Sequence, residues 1–506
     1  MAHASSTPGE IELKLALPGA EQRHIVQQLA SALPLAGTDF KQQRLRNIYF
    51  DTPEQHLRKH KAALRLRSVR EGAGSRPRWI QTLKTAGHSA GGLSQRGEWE
   101  TTLRRGALDP AALQDTPWHA IDGDEHLFAQ LAPCFETEST RTLWQINTED
   151  GSRIEIALDL GTVRANGLRL PICELELELV QGRTEAIFTL AKQIAAHTAV
   201  LPAETSKAEH GWRLASGISA VPVRARVLPL EPHQPALEAA QEILGEMLSQ
   251  FTGNLTGILH ADHAELVHQA RVGWRRWRSG LWLFKPLLQH YPAPDMSALE
   301  PLLKALGALR DLDVAALESL PPWADAFIAG DARREADWRA MEAALQVQRR
   351  AGRTTLLKAL AAPATGAALV RASEWLHGLH AQATPERLGP WAAKRVQRLH
   401  QRLSREVDAM EATEDSQDNE AVKHQHRARL LAKRTRYCLE AMQAVVPTAR
   451  ARRWTNQATE LQTGIGAARD LQLLADLLQP LGVDRAIIGF LRGIAAHAWS
   501  SRKSVR

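Results

Sequence analysis

The apolar residues of this chain change their period once. Between Glu10 and about Leu179 they alternate with polar residues in short runs broken by Gly, Pro and Asp, as on strands whose successive side chains leave opposite faces. After a stretch rich in Val, Pro and Arg at 221–234 they recur three and four residues apart, the spacing of a helix face. At 506 residues the chain is also several times the usual size of one domain. The expectation is an α+β domain at 8–215, a linker at 216–234 and an all-α domain at 235–506. Strands are expected at Glu10–Leu17, Arg44–Phe50, Ala63–Val69, Trp79–Thr85, Gln95–Leu103, Thr140–Thr148, Arg153–Leu160 and Ile172–Val180, with helices at Ala20–Leu33 and Thr184–His197 lying on the sheet.

A formal charge of +7 implies an anionic partner: nucleic acid, a membrane surface or a phosphorylated substrate. Cys134, Cys173 and Cys438 lie far apart with no metal-ligand spacing, which excludes a disulfide framework and fits a reducing compartment. The first residues lack the basic start and apolar core of a leader. No apolar run reaches the roughly 18 residues of a membrane span. A cytoplasmic protein without a membrane partner is expected.

On the strand-like segments the charges share one parity. Glu10, Glu12 and Lys14 alternate with Ile11, Leu13 and Leu15, and the pattern returns in Arg65 and Arg67, in Lys84, in Arg96, Glu98 and Glu100, in Arg153, Glu155 and Asp159, and in Glu174, Glu176 and Glu178. One such strand is explained by the wet face of an antiparallel sheet. Its repetition points elsewhere, because carboxylates spaced two apart repel across roughly 7 Å unless cations neutralise them. If the sheet closes, its lumen carries both signs: oxygen ligands for Mg²⁺ or Mn²⁺, and basic groups for phosphate oxygens. No Walker A motif, GxSxG elbow or HExxH helix competes for a catalytic role.

These residues resemble the CYTH, or triphosphate tunnel metalloenzyme, family. The ExExK signature falls on Glu10, Glu12 and Lys14. It is followed in order by Tyr49 to Thr52, Arg65 and Arg67, Thr82 to Lys84, Arg96 to Glu100, Glu174 to Glu176, and Ser206 with Lys207. The resemblance implies an eight-stranded antiparallel β-tunnel with flanking helices. Glu10, Glu12, Glu174 and Glu176, with Glu178 and Asp159 beside them, would carry the metal; Lys14, Arg65, Arg67, Lys84, Arg141 and Lys207 would hold phosphates; Glu10, Glu12, Lys14 and Glu176 would form the catalytic set. For Arg141 and Asp159 a structural ion pair is the alternative, and Tyr49 to Thr52 are expected to shape a strand end. The implied reaction is metal-assisted, in-line attack of water on inorganic triphosphate, without a covalent enzyme intermediate. Hydrolysis of a nucleoside or thiamine triphosphate is a second reading, and a tunnel that only holds phosphate is a third.

The helical half repeats itself. His268, Arg271, Arg275, Arg276 and Arg278 match His426, Arg429, Lys433, Arg434 and Arg436 in spacing, and Gly307 to Leu312 matches Gly466 to Leu471. Offsets of 3, 7 and 10 return near one helix face, so each segment forms a basic stripe flanked by Arg276 or Arg434. A solvated basic face is the ordinary explanation, but stacked like charges without carboxylate partners cost stability. The signature resembles the CHAD domain. This implies two related helical bundles, about 235–320 and 390–506, whose basic channel binds inorganic polyphosphate and associates the protein with polyphosphate granules. Nucleic acid is disfavoured, because the stripes lack the aromatic interleaving that stacks bases; Trp274, Trp277 and Trp282 are accounted for by core packing. Arg310 with Asp311, and Arg469 with Asp470, are expected as ion pairs between helices. Residues 320–388 read as helical hairpins, and Gly87 to Gly92 as a hairpin connection.

Overall fold

In the computed structural model the alternating runs become antiparallel strands that close on themselves. The structure describes residues 9–19, 24–31, 35–72, 74–123, 126–218, 221–380, 386–412, 419–446, 449, 452–454, 456, 459 and 467–503. The strands are β1 (Gly9–Ala16), β2 (Phe40–Asp51), β3 (Ala63–Arg70), β4 (Arg78–Ala90), β5 (Leu93–Leu103), β6 (Ala132–Asn147), β7 (Arg153–Ala165), β8 (Leu168–Gln181) and the short β9 (Leu201–Pro202). Their order is β5-β4-β3-β2-β6-β7-β8-β1, and β1 pairs back onto β5, giving an eight-stranded barrel with β9 beside β1.

β6 is longer than the expected Thr140–Thr148. In its first half Thr137 and Ser139 are buried on one face while Glu136 and Glu138 occupy the other. Apart from Phe135 both faces are polar, so the apolar alternation that marks a strand is missing there.

The barrel is apolar outside and charged inside. Leu13, Leu15, Ile154, Ile156, Leu158, Leu175 and Leu177 point outward into a core with Ile25 and Leu29 of α1 (Ile25–Ser31) and with Ile187, Leu190 and Ile194 of α2 (Thr184–His197). Burying a Leu or Ile side chain stabilises by about 1.5–3 kcal/mol, so these helices fix which strand face is left for the lumen. α3 (Lys207–Ala215) packs Trp212 on Phe135, Tyr49, Val163 and Ile172. Asp51 accepts hydrogen bonds from the backbone of Thr52, Leu57 and Arg58, so the Tyr49 to Thr52 segment does shape the end of β2.

Residues 221–234 carry neither helix nor strand, and helices follow. α4 (Ala236–His260) pairs with α5 (Ala264–Phe284), α6 (Glu300–Val314) with α7 (Ala332–Leu360), α9 (Leu388–Ala412) with α10 (Asn419–Ala441), and α11 (Ala467–Leu478) with α12 (Arg485–Lys503). The two repeated basic segments thus fall on α5 and α10, each the second helix of a hairpin, and these two helices pack together. Between them in sequence, α8 (Pro363–His377) lies against α2 of the barrel. Its Glu374 pairs with Lys192 at 2.6 Å, and His377 Nε2 lies 3.0 Å from the Ala90 carbonyl. The 320–388 segment therefore supplies a helix that holds the two halves together. The β4–β5 connection turns at Gly91 and Gly92, both at positive φ; a Cβ on Gly91 would lie 2.6 Å from Ser373 Oγ of α8. Only glycine fits so close an approach at that backbone angle.

Candidate active site in the barrel lumen and basic faces of the helices

The barrel encloses a cavity of about 730 Å³ lined by charges of both signs, among them Glu10, Lys14, Arg65, Arg67, Lys84, Arg141, Glu176, Glu178 and Lys207. Register explains the convergence. Lys14 lies opposite Glu176, Glu12 opposite Glu178, Arg141 opposite Asp159 and Asp159 opposite Glu174, and directly opposed residues project from the same face. Lys207 reaches the same place from the first turn of α3, where Ser206 Oγ accepts from Glu209 N at 3.1 Å and caps the helix.

Three carboxylates, Asp159, Glu174 and Glu176, bring oxygens within 4.8 Å of one another. Lys207 binds Asp159 at 2.7 Å and Glu176 at 2.9 Å and also contacts Glu174. Arg141 binds Asp159 and, at 2.8 Å, Glu176. Lys14 Nζ is 3.3 Å from Glu176 and 3.9 Å from both Glu12 and Glu174. Burial pushes the Glu176 carboxyl up, but Lys207, Lys14 and Arg141 outweigh it and hold it well below the usual range. Burial likewise lowers Lys14 and Lys207, and the surrounding carboxylates reverse that and raise both. Three carboxylates, with Asp159 and Glu174 buried and Glu176 partly so, are a set of hard oxygen donors of the kind that suits Mg²⁺ or Mn²⁺.

The other expected metal ligands lie outside this trio. Glu10 binds Lys84 and Arg96, each at 3.0 Å, and Glu12 binds Arg96 at 2.8 Å. Glu178 faces a different environment: burial and the carboxylates of Glu10, Glu155 and Glu98 push it up to about 7, against a smaller opposing effect of Lys84.

The basic wall is Arg65 and Arg67. Arg65 is bound by Glu98 and Glu100 at 3.2 Å, and Arg67 Nε donates to Asn47 Oδ1 at 2.8 Å. Burial and the guanidinium groups of Arg65 and Arg141 lower Arg67 to about 10, the state of a cation crowded by cations that an anion would relieve. Tyr49 shares this region. Burial raises its phenol, but Arg65, Arg67 and Lys207 bring it below its ordinary value. Arg96, Glu98, Glu100, Glu155 and Tyr49 were not singled out as site residues from sequence; except for Tyr49, the signal was their parity, shared with Lys84 or Asp159.

On the helices, His268, Arg271, Arg275 and Arg278 lie along α5, and Arg429, Lys433, Arg434 and Arg436 along α10; the side chain of His426 is outside the described residues. The Nε groups of Arg275, Arg429 and Arg436 are buried with no hydrogen-bond partner, and a buried donor left unpaired costs about 1–3 kcal/mol. Burial, Arg310 and Arg275 lower His268 below its ordinary value. Gly307 admits Arg271: a Cβ there would lie 2.9 Å from Arg271 Nη1. Sequence reasoning missed α9, whose Arg395 and Arg402 stack on Trp282, as does Arg434, at 5.4–5.8 Å.

Two expectations are corrected. Arg276 does not belong to the basic face; it is 3% exposed, binds Glu246 at 2.8 Å and donates to Gln250 Oε1. It sits one position past Arg275, and about 100° of helix rotation turns it into the core. Arg310 pairs with Glu318 at 2.8 Å rather than with Asp311, because neighbouring helix positions diverge. The side chains of Arg469 and Asp470 lie outside the described residues.

Residues 9–212 match the model of the CYTH domain and residues 242–479 that of the CHAD domain. An inorganic triphosphatase of Haemophilus influenzae is 31% identical over 212 residues, covering 41% of this chain; the chain spans 55% of that relative's length. Among solved structures, the CHAD domain from the plant Ricinus communis is 27% identical, covering 56% of this chain and 92% of that one with a TM-score of 0.45. A Hippeastrum protein assigned as an adenylyl cyclase and described by a dominant triphosphatase activity is 21% identical, covering 41% and 96%, with a TM-score of 0.31. No described helix is long and apolar enough to cross a membrane.

Proposed function

Starting from a chain that carries a CYTH domain at residues 9–212 followed by a CHAD domain at residues 242–479, we propose that the barrel hydrolyses inorganic triphosphate to pyrophosphate and phosphate. The helical half then binds inorganic polyphosphate and keeps the enzyme beside it, in the cytoplasm and at polyphosphate granules. This reading keeps the division at 8–215, 216–234 and 235–506. The observation that carries it is the convergence of buried Asp159 and Glu174 with partly buried Glu176, each in contact with basic groups inside one lumen.

Asp159, Glu174 and Glu176 would hold Mg²⁺ or Mn²⁺, with Glu10, Glu12 and Glu178 as the neighbouring carboxylates. When bound, the ion supplies neutralisation of phosphate oxygens and polarisation of the attacking water. With a cation held by these carboxylates, Lys14, Arg141 and Lys207 would be free to turn to phosphate oxygens. Arg65, Arg67 and Lys84 hold the other end of the substrate, where they stabilise the charge that moves onto the leaving group. Glu98 and Glu100 keep Arg65 in place, and Glu10 does the same for Lys84. For polyphosphate, Arg271, Arg275, Arg278, Arg429, Lys433, Arg434 and Arg436, with His268 and His426, would supply the contacts.

The test is phosphate release from inorganic triphosphate, ATP and thiamine triphosphate side by side, with Mg²⁺, with Mn²⁺ and with chelator. Release from inorganic triphosphate alone, lost in chelator, is expected. Faster turnover of ATP or thiamine triphosphate would move the substrate to that class, and no release from any would leave a phosphate-holding protein.

A further inference from the structure

Lys14 is fixed by its backbone as well as by its charge. Its N–H donates to Gly92 O at 3.0 Å, and its C=O accepts from Ala203 N at 2.9 Å. Those two segments, the β4–β5 turn and the residues after β9, are tied together by one side chain. Glu204 follows Ala203, and its side chain lies beside the backbone N–H groups of Gly91 and Gly92. Its carboxylate accepts, at 2.5 Å, from Ser249 Oγ, which belongs to α4 of the helical half and is buried.

We propose that Glu204 is a positioning residue for Lys14, and that through Ser249 the helical half sets the geometry of the barrel's charged trio. The proposal rests on the triphosphatase reading for its kinetic consequence, but its structural content stands on the hydrogen bonds. Gly92 has no room to settle elsewhere: a Cβ on it would lie 2.9 Å from Pro202 and 3.1 Å from Lys14 O. The turn, β9 and Lys14 therefore move as a unit. At the other end of this unit, Lys14 Nζ stands 3.3–3.9 Å from Glu12, Glu174 and Glu176. A shift of the backbone by a fraction of an ångström changes which carboxylate it neutralises. Burial pushes the Glu204 carboxyl up, and the Ser249 hydrogen bond opposes that only in part.

The experiment uses the full chain carrying Glu204→Ala, Ser249→Ala or Glu204→Gln, and reads kcat and KM for inorganic triphosphate together with hydrogen exchange at the Lys14 amide. A misplaced catalytic group costs roughly ten- to a hundredfold, so kcat should fall about tenfold or more in Glu204→Ala and less in Ser249→Ala. KM should change little, because Arg65, Arg67, Arg141 and Lys207 hold the substrate independently of Glu204. Exchange at Lys14 should speed up in both. Glu204→Gln should stay near wild type, since its amide can keep the place beside the glycines and its NH₂ can donate to Ser249. Unchanged binding of polyphosphate shows that the helical half is intact. The proposal is overturned if Lys14 exchange is as slow in Glu204→Ala as in wild type, whatever happens to kcat, or if kcat is untouched while exchange quickens. A wild-type chain that does not hydrolyse triphosphate would refute the functional reading, and the exchange data would still decide this one.

Discussion

Arg141 meets Asp159 across β6 and β7 in a two-pronged contact, Nε to Oδ1 at 2.8 Å and Nη2 to Oδ2 at 2.7 Å. Asp159 is fully buried. Burial alone would raise its carboxyl, but Arg141 and Lys207 hold it well below the ordinary 3.8. The native state therefore binds this proton less readily than the unfolded chain. The stability it contributes is present above pH 3.8 and drains away as pH falls through the lower native value. Asp159→Asn should melt well below wild type at pH 7, since breaking one side of a buried pair costs about 3–5 kcal/mol, with the gap narrowing toward pH 3. Equal melting temperatures at pH 7 would show that the contact is not structural.

Glu178 should behave in the opposite sense. Its native value of about 7 stands above the ordinary 4.5, so the folded state holds this proton longer than the unfolded one. Its neutral form favours folding at low pH, and that stability is lost as pH rises between 4.5 and 7. In chelator, Glu178→Gln should flatten the decline of melting temperature across this window. A decline as steep as that of wild type would rule out Glu178 as its source.

Glu176→Gln keeps the shape of the side chain and removes one charge from the trio. Triphosphate hydrolysis should fall by about a hundredfold or more, the scale at which lost electrostatic stabilisation is felt, with polyphosphate binding by the helices unaltered. Turnover within a few-fold of wild type would exclude Glu176 from the metal set.

Arg275→Ala combined with Lys433→Ala should weaken polyphosphate binding and make it less dependent on salt, because each phosphate contact removed lowers the number of counterions released. Titrations at several salt concentrations measure this; an unchanged slope would separate the basic faces from polyphosphate.

Arg276→Ala provides the contrast. It leaves the Glu246 carboxylate in the core without its guanidinium partner, so stability should drop by about 3–5 kcal/mol, while the folded fraction binds polyphosphate as wild type does. A selective loss of binding without loss of stability would return Arg276 to the basic face.

The barrel was legible because charge and apolarity alternate on β1, β3, β4, β5, β7 and β8; it was illegible in the first half of β6, where, apart from Phe135, both faces are polar. Among the carboxylates, parity placed Glu10, Glu12, Asp159, Glu174, Glu176 and Glu178 in the lumen. It could not say that Asp159, Glu174 and Glu176 converge while Glu10 and Glu12 turn to Lys84 and Arg96, because that depends on strand register around a closed sheet. On α5, spacing distinguished Arg275 from Arg276 only by a fraction of a turn, too little to foresee that Glu246 waits on the buried side. Neither Glu204 nor Ser249 carried any sequence signal, since their relationship joins two halves folded on different periods.

The lumen's charges already answer one another: Lys14, Arg141 and Lys207 are matched to the carboxylates before any phosphate arrives. Loading the barrel is thus a change of partners. On the function proposed above, a divalent ion would offset part of the charge of the triphosphate, and the lumen's own cations would exchange carboxylates for phosphate oxygens rather than shed a large atmosphere of mobile ions. Arg278 on α5 is exposed, with no ion pair among the described residues, and carries its charge into an ionic atmosphere that a polyanion must displace. The chain would then offer two phosphate sites with different responses to ionic strength, attachment of the long chain depending more steeply on salt than occupancy of the barrel.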